Sequence, residues 1–272
     1  MSEPLNPGTP SAKDQVLADL AAESEQLDGW VSGLSDDDWT TVTTPEGWTV
    51  THQVGHLMWT DRTSLAAVAG GDEWDMLVHL AVQDPEGFVD TETARMAELP
   101  PESMLHHWRD SRQRLAEALA AVPDGQKIPW FGPPMSATSM GTARLMETWA
   151  HSRDVAEAVG IEAPRDDRCK HVCHLGVRTR GFAYLTRGLE VPDAEVRVEL
   201  VGPSGAVWTW GPEDATERVT GSGYDFALLA TRRRHLADVD VHAQGEHAQE
   251  WLGIVQAFAG NPGTDPRPLA DR

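Results

Sequence analysis

Glu147 and His151 stand four residues apart. On a helix that spacing puts a carboxylate and an imidazole one turn apart on one face, where they can share a metal ion. The same pair is also found on ordinary solvent-facing helices, so a third group is needed. His56 supplies it, in the mostly apolar run Val-Gly-His-Leu-Met-Trp from 54 to 59, where a buried imidazole needs a partner. Two imidazoles and one carboxylate suit Zn²⁺ or a similar first-row divalent ion. Three protein ligands leave a position open for water, substrate or thiolate, and an open site implies catalysis.

Other residues admit both a chemical and a plain structural reading. His52, one turn before His56, is a candidate alternative ligand or orienting group; equally it packs beside Trp59 or bonds a backbone carbonyl. Asp154, three residues after His151, could orient an imidazole, or pair locally with Arg153 or Arg62. One of Arg232, Arg233 and Arg234 could act catalytically by attracting a carboxylate or a thiol cofactor, or the triplet offsets the dipole at a helix C-terminus. Cys169 and Cys173, with His174 following, lack the second pair that a structural zinc site requires and read as helix residues. Most of the eleven tryptophans read as core mass. Trp59, near His56, and Trp130 and Phe131, on a stiff loop, are the candidate walls of a substrate pocket.

Apolar periodicity indicates the elements that must position these groups. Val16, Leu17, Leu20, Leu27 and Val31 predict a helix over about 12–33, with capping chemistry following at Ser35. Thr49 is a plausible N-cap for a second helix that carries His56 and stops at Gly70 and Gly71. A third runs over about 101–121, opened by Pro100 and Pro101. Residues 128 to 136 hold three prolines and form a loop, and a fourth helix over about 139–159 carries Glu147 and His151. The stretch 72–99 is less legible. Four helices with mostly short connections suggest a bundle. After Pro164 the pattern predicts a helical linker over about 167–187 and a hairpin from alternating Val196, Val198 and Leu200 through a Gly-Pro-Ser-Gly turn to Val207–Trp210. Two helices, 223–232 and 246–258, flank a short strand near Val239 and Val241.

The chain has 272 residues, enough for two domains, and 40% of them are apolar. A net charge of −21 disfavours nucleic acid and anionic membrane surfaces as partners, which leaves small molecules. The two cysteines are too few to staple the fold, and no signal-like or membrane-spanning run appears, so a cytoplasmic location is expected. Only Lys13, Lys127 and Lys170 are lysines among 22 basic side chains, a bias that hints at a GC-rich, actinobacterial source. The oligomeric state is open.

The segments His-Gln-Val-Gly-His-Leu-Met-Trp-Thr-Asp-Arg (52 to 62) and Met-Glu-Thr-Trp-Ala-His-Ser-Arg-Asp (146 to 154) resemble the DinB-like, mycothiol-dependent maleylpyruvate isomerase superfamily. Its pattern of a His followed far downstream by Glu-x-x-x-His matches His56, Glu147 and His151. The stretches at 130–136, 174–180, 208–214 and 256–260 extend the likeness, to an actinobacterial subgroup, over nearly the whole chain. The resemblance implies an α+β protein: a metal-binding DinB-like four-helix bundle over 13–165, a linker over 166–190 and a small α/β domain resembling the sterol-carrier fold over 191–260. Flexible ends, 1–12 and 261–272, flank these. It further implies one divalent metal, mycothiol as co-substrate, and an arginine of the second domain near the site. The implied activity is thiol S-transfer to a small electrophilic metabolite, or cis-trans isomerisation by the same thiolate chemistry. S-transfer is favoured, because isomerising a dicarboxylate needs cationic contacts and positive residues near the site look sparse. A metal-dependent hydrolase needing no thiol and a non-catalytic carrier with a structural metal stay open.

Overall fold

The computed structural model describes residues 10–271 and divides into two compact units, one running to Gly160 and the other starting at Ile161. In the first, α1 (Ala12–Val31) opens on Ser11, whose hydroxyl accepts from the Asp14 N–H while the Asp14 carboxylate accepts from the Ser11 N–H. Ser35 and Asp38 repeat this device for the four-residue α2 (Asp36–Trp39). Helix α3 (Val50–Ala69) starts after Thr49 and ends where Gly70 takes φ 67°. The less legible stretch 72–99 holds two short helices, α4 (Asp72–Gln83) and α5 (Phe88–Ala97). Then come α6 (Pro101–Ala121) and α7 (Ala137–Ala158), the latter capped by Ser136. Between them the proline-rich loop is closed by paired backbone hydrogen bonds between Ile128 and Met135.

Helix α3 packs on α5, α6 and α7, and α1 packs on α7 and α6, so α1, α3, α6 and α7 form the bundle. Leu27, Val54, Leu57, Met58, Met104, Trp108 and Val155 fill one end of its core; Leu115, Leu119, Ile128 and Met140 fill the other. Helices α3 and α7 are buried on most sides, which is uncommon for helices with so many polar residues. Gln53, His56, Asp61, Arg144, His151, Ser152, Arg153 and Asp154 are all buried and must find partners inside.

The second unit holds α8 (Cys169–Arg178) and α9 (Arg180–Leu185), separated at Thr179, where a continuous linker helix is expected; α8 packs on α10 (Gly223–Ala230). The four-stranded sheet has the order β2 (Val207–Trp210), β1 (Val196–Val201), β3 (Glu217–Ser222), β4 (Val241–Gln244). The expected hairpin is the antiparallel β1–β2 pair, and β3 runs parallel to β1. Strand β3 gives no sequence signal: its one fully buried side chain is Val219, and Gly221 interrupts it. That glycine is required, since a Cβ there would lie 2.2 Å from the Asp240 carbonyl oxygen. Helix α11 (Glu246–Ile254) packs on β3 and β4. Cys169 and Cys173 are buried and unbridged. Near the C-terminus, Asp265 pairs with Arg232 and the Leu269 N–H donates to Asp238. The expected flexible N-terminal stretch lies mostly outside the described residues. Among the described residues no helix is long and apolar enough to cross a membrane.

Candidate metal centre

Helix α3 delivers His56 and α7 delivers Glu147 and His151 to one point, with a donor atom from each lying within 4.8 Å of the others. His56 Nε2 is 3.5 Å from Glu147 Oε2, and His151 Nε2 is 3.1 Å from the same oxygen. The imidazole centroids are 4.6 Å apart. Ligand bonds of about 2.0–2.1 Å in tetrahedral geometry set neighbouring donor atoms about 3.3 Å apart. The two measured separations bracket that value. The side chains of His56 and His151 are 9% and 10% accessible, that of Glu147 24%, so the carboxylate marks the side from which a further ligand can approach.

Local packing turns both imidazoles the same way. Gly55 leaves room for α5, whose Met96 Cβ would be 3.2 Å from a Cβ at position 55. That closeness sets Thr93 Oγ1 3.3 Å from His56 Nδ1. His151 Nδ1 forms a short contact with Gln53 Oε1. In both rings Nδ1 is engaged away from the cluster and Nε2 faces Glu147. An imidazole lone pair facing a carboxylate oxygen is favourable only with a positive centre on or between them, a proton or a metal ion. The donor set fits a divalent first-row ion. Burial pushes the Glu147 carboxyl up, but hydrogen bonds from His151 and His56, with their charge, overcome it and hold it well below the usual carboxylate range.

Sequence reasoning missed Trp48. Its indole stacks on His151 at 5.7 Å and 15°, and lies 5.3 Å from the His56 ring. The Pro45–Gly47 turn before α3, read only as a connection, carries this residue onto the cluster. On the other side Trp59 is 6.1 Å from His56 and begins a chain of rings: Phe88 at 5.3 Å, then Phe131 at 5.9 Å from Phe88, with Trp130 5.2 Å and Trp74 5.1 Å from Phe131. All three sequence candidates for a pocket wall thus belong to one aromatic cluster that reaches His56.

His52 is not among the converging donors. Its Nδ1 accepts from the Thr49 N–H and contacts the Thr49 hydroxyl, so it caps α3. Asp154 lies 3.9 Å from His151 Nδ1, and Gln53 is the nearer partner. Arg232, Arg233 and Arg234 lie in the second unit, beyond the end of α10 at Ala230. Arg232, at φ 60°, pairs with Asp265, while Arg233 and Arg234 donate to the carbonyls of Thr231 and Arg233.

A helical bundle holding a three-donor cluster of two histidines and a glutamate defines the class of protein. The family model of the mycothiol maleylpyruvate isomerase N-terminal domain matches residues 20–156, and the chain belongs to that family. A second model, wyosine base formation, matches residues 192–244. The chain is 53% identical over 247 residues to uncharacterized proteins from two strains of Mycobacterium tuberculosis, covering 91% of this chain and 96% of each relative. The crystal structure of the mycothiol-dependent maleylpyruvate isomerase shares the fold, with a TM-score of 0.57 at 17% identity, covering 86% of this chain and 93% of that one. A mutant of the same enzyme matches with a TM-score of 0.56.

Proposed function

We propose that this protein is a metal-dependent thiol S-transferase that uses mycothiol, or a closely similar low-molecular-weight thiol, against a small electrophile. The observation that carries this reading is the convergence of His56 Nε2, His151 Nε2 and Glu147 Oε2 with one partly open side. When bound there, a divalent ion lowers the pKa of a thiol at its open position and so supplies a thiolate at neutral pH. The chain's own residues do the rest. Thr93 and Gln53 aim the two imidazoles, and Trp48 covers the His151 face and excludes water from it. The ring cluster from Trp59 to Phe131 offers an apolar wall against which a flat electrophile can rest. S-transfer forms a carbon–sulfur bond, breaks the bond to the leaving group and releases the thiol proton to solvent.

The family relation also allows isomerisation, in which sulfur adds to a double bond and leaves again. For a dicarboxylate that reaction needs cationic contacts. Both buried arginines of α7 are already held by carboxylates, Arg144 by Asp61 and Arg153 by Glu23. This favours transfer. A small sheet unit resembling the sterol-carrier fold and a cytoplasmic location complete the proposal.

The test is mass spectrometry of the 272-residue chain incubated with mycothiol and a panel of electrophiles, with and without chelator. A thioether that forms only without chelator is expected. A rearranged double bond with thiol recovered would make the protein an isomerase. Turnover without thiol would replace the proposal with hydrolysis, and turnover unaffected by chelator would remove the metal.

A further inference from the structure

The contact between His151 and Gln53 belongs to a chain of hydrogen bonds whose direction can be worked out from its far end. The Trp48 carbonyl can only accept, and it receives the Thr43 hydroxyl at 3.0 Å and the Thr43 N–H at 2.8 Å. The single Thr43 hydroxyl proton is thereby used, so Thr43 Oγ1 must accept from its other neighbour, Gln53, 2.7 Å away. That places the Gln53 amide nitrogen at Thr43 and its oxygen at His151. An amide oxygen only accepts, so His151 Nδ1 must carry a proton. A neutral His151 then has its lone pair on Nε2, the atom facing Glu147.

We propose that Gln53 is a positioning residue for the candidate centre, which locks His151 in the Nδ1–H tautomer and is itself locked by Thr43 and the Trp48 carbonyl. This rests on the metal reading above for its purpose, though not for its geometry. Gln53 is fully buried, so an amide without these partners would be costly there, and the arrangement has one satisfied state. Nothing in the local sequence of α7 sets the tautomer. The loop at residues 43–48 does so from outside the helix pair. The same loop stacks the Trp48 indole on His151, so one turn of chain fixes both the plane and the proton of a single ligand. Asp154, the other acceptor near Nδ1, is 3.9 Å away.

Two measurements on the full chain test this. The first is zinc affinity by competition with a chromophoric chelator. Gln53→Leu and Thr43→Val are each expected to weaken binding about 10- to 100-fold, while Gln53→Glu, which keeps the acceptor, stays within a few-fold of the parent. Asp154→Asn should have a smaller effect than Gln53→Leu. Unchanged affinity in both Gln53→Leu and Thr43→Val, or a larger loss in Asp154→Asn, overturns the proposal. The second is the ¹⁵N-histidine spectrum of the metal-free chain at a pH where His151 is neutral. It is expected to show the Nδ1–H form in the parent and a mixture of tautomers in Gln53→Leu. An Nε2–H form in the parent overturns the proposal. Because the spectrum needs no ion, it decides the role of Gln53 even if the parent binds no zinc, a result that would defeat the metal reading alone. Thr43→Val keeps the affinity test available should Gln53→Leu fail to fold.

Discussion

Helices α3 and α7 run antiparallel and bury polar side chains against each other at two successive levels, and the levels differ in kind. At the first, Arg144 Nε donates to Asp61 Oδ1 at 3.0 Å and Arg144 Nη2 reaches the Leu57 carbonyl at 3.4 Å. A cation meets an anion there, and the level is closed without help from outside. At the second, His56 and His151 turn Nε2 toward Glu147, so acceptor faces acceptor unless a proton or metal ion intervenes. Two neighbouring polar levels of one helix contact thus have opposite designs, and the open one is also the more accessible, through Glu147. A buried polar group that satisfies itself is part of the fold, and one that does not is a site.

The comparison breaks most sharply at the ligands. His56→Ala and His151→Ala are each expected to abolish binding of about one divalent ion per chain, measured by elemental analysis after gel filtration, with the helical circular dichroism unchanged. Retention of the ion in both variants would place the metal elsewhere. The converse change is at the closed level. Arg144→Met leaves Asp61 buried without its partner and is expected to cost about 3–5 kcal/mol in urea unfolding. Burial raises the Asp61 carboxyl and the Arg144 charge offsets this only in part. The double variant Asp61→Leu with Arg144→Met should therefore recover most of the loss, and should still bind metal. If the double variant is no better than the single one, the pair stabilises the helix contact beyond neutralising itself.

A finer cut falls on Glu147. Glu147→Gln keeps the size and hydrogen-bonding reach of the side chain and removes its charge. It is expected to weaken metal binding on the order of tenfold, since a neutral amide is a poorer ligand than a carboxylate. Unchanged affinity would remove Glu147 from the ligand set and leave it as the hydrogen-bond acceptor for two imidazoles.

The open level was partly legible in the sequence and its support was not. Glu147 and His151 are four apart on one helix, a spacing that fixes their relation before any tertiary structure is known. His56 stood out because a histidine interrupts an apolar run. The bounds of α3 and α6 follow from Thr49, Gly70 and Pro101, each acting locally. Thr43, Gln53 and Trp48 carry no such mark. Their roles depend on a loop folding back over α3 and on α7 arriving about a hundred residues later, and no spacing encodes that. The same reason hid the divided stretch 72–99. Helix α4 packs one face, Trp74, Leu77, Val78 and Ala81, but leaves the apolar Met76, Leu80 and Val82 exposed on the other, so apolar residues all round blur its pattern. Strand β3, with one buried valine and a glycine, gave periodicity nothing to detect.

A third polar contact, at the bundle surface, sets the lower limit of the comparison. Asp28 on α1 receives Arg109 Nη2 at 2.5 Å and Arg112 Nη2 at 2.6 Å from α6, and the Ser32 hydroxyl at 2.8 Å. The hydrogen bond from Arg109 is the largest influence on its carboxyl; burial opposes it, and Ser32 and the charges of both arginines add to it, so the pKa lies below the ordinary aspartate value. A carboxyl whose folded pKa is lowered adds stability at pH values above its unfolded pKa and loses it as the pH falls through the folded one. Arg109 is 45% accessible, so solvent screens much of the attraction. Asp28→Asn is accordingly expected to cost only about 1 kcal/mol at neutral pH. That difference should shrink in high salt and vanish in acid, where the parent aspartate is protonated too. Urea midpoints of both proteins across the acid range check this. A gap that persisted at low pH would mean that Asp28 acts by shape and not by charge, and that the α1–α6 contact is closed in the same sense as Arg144 with Asp61.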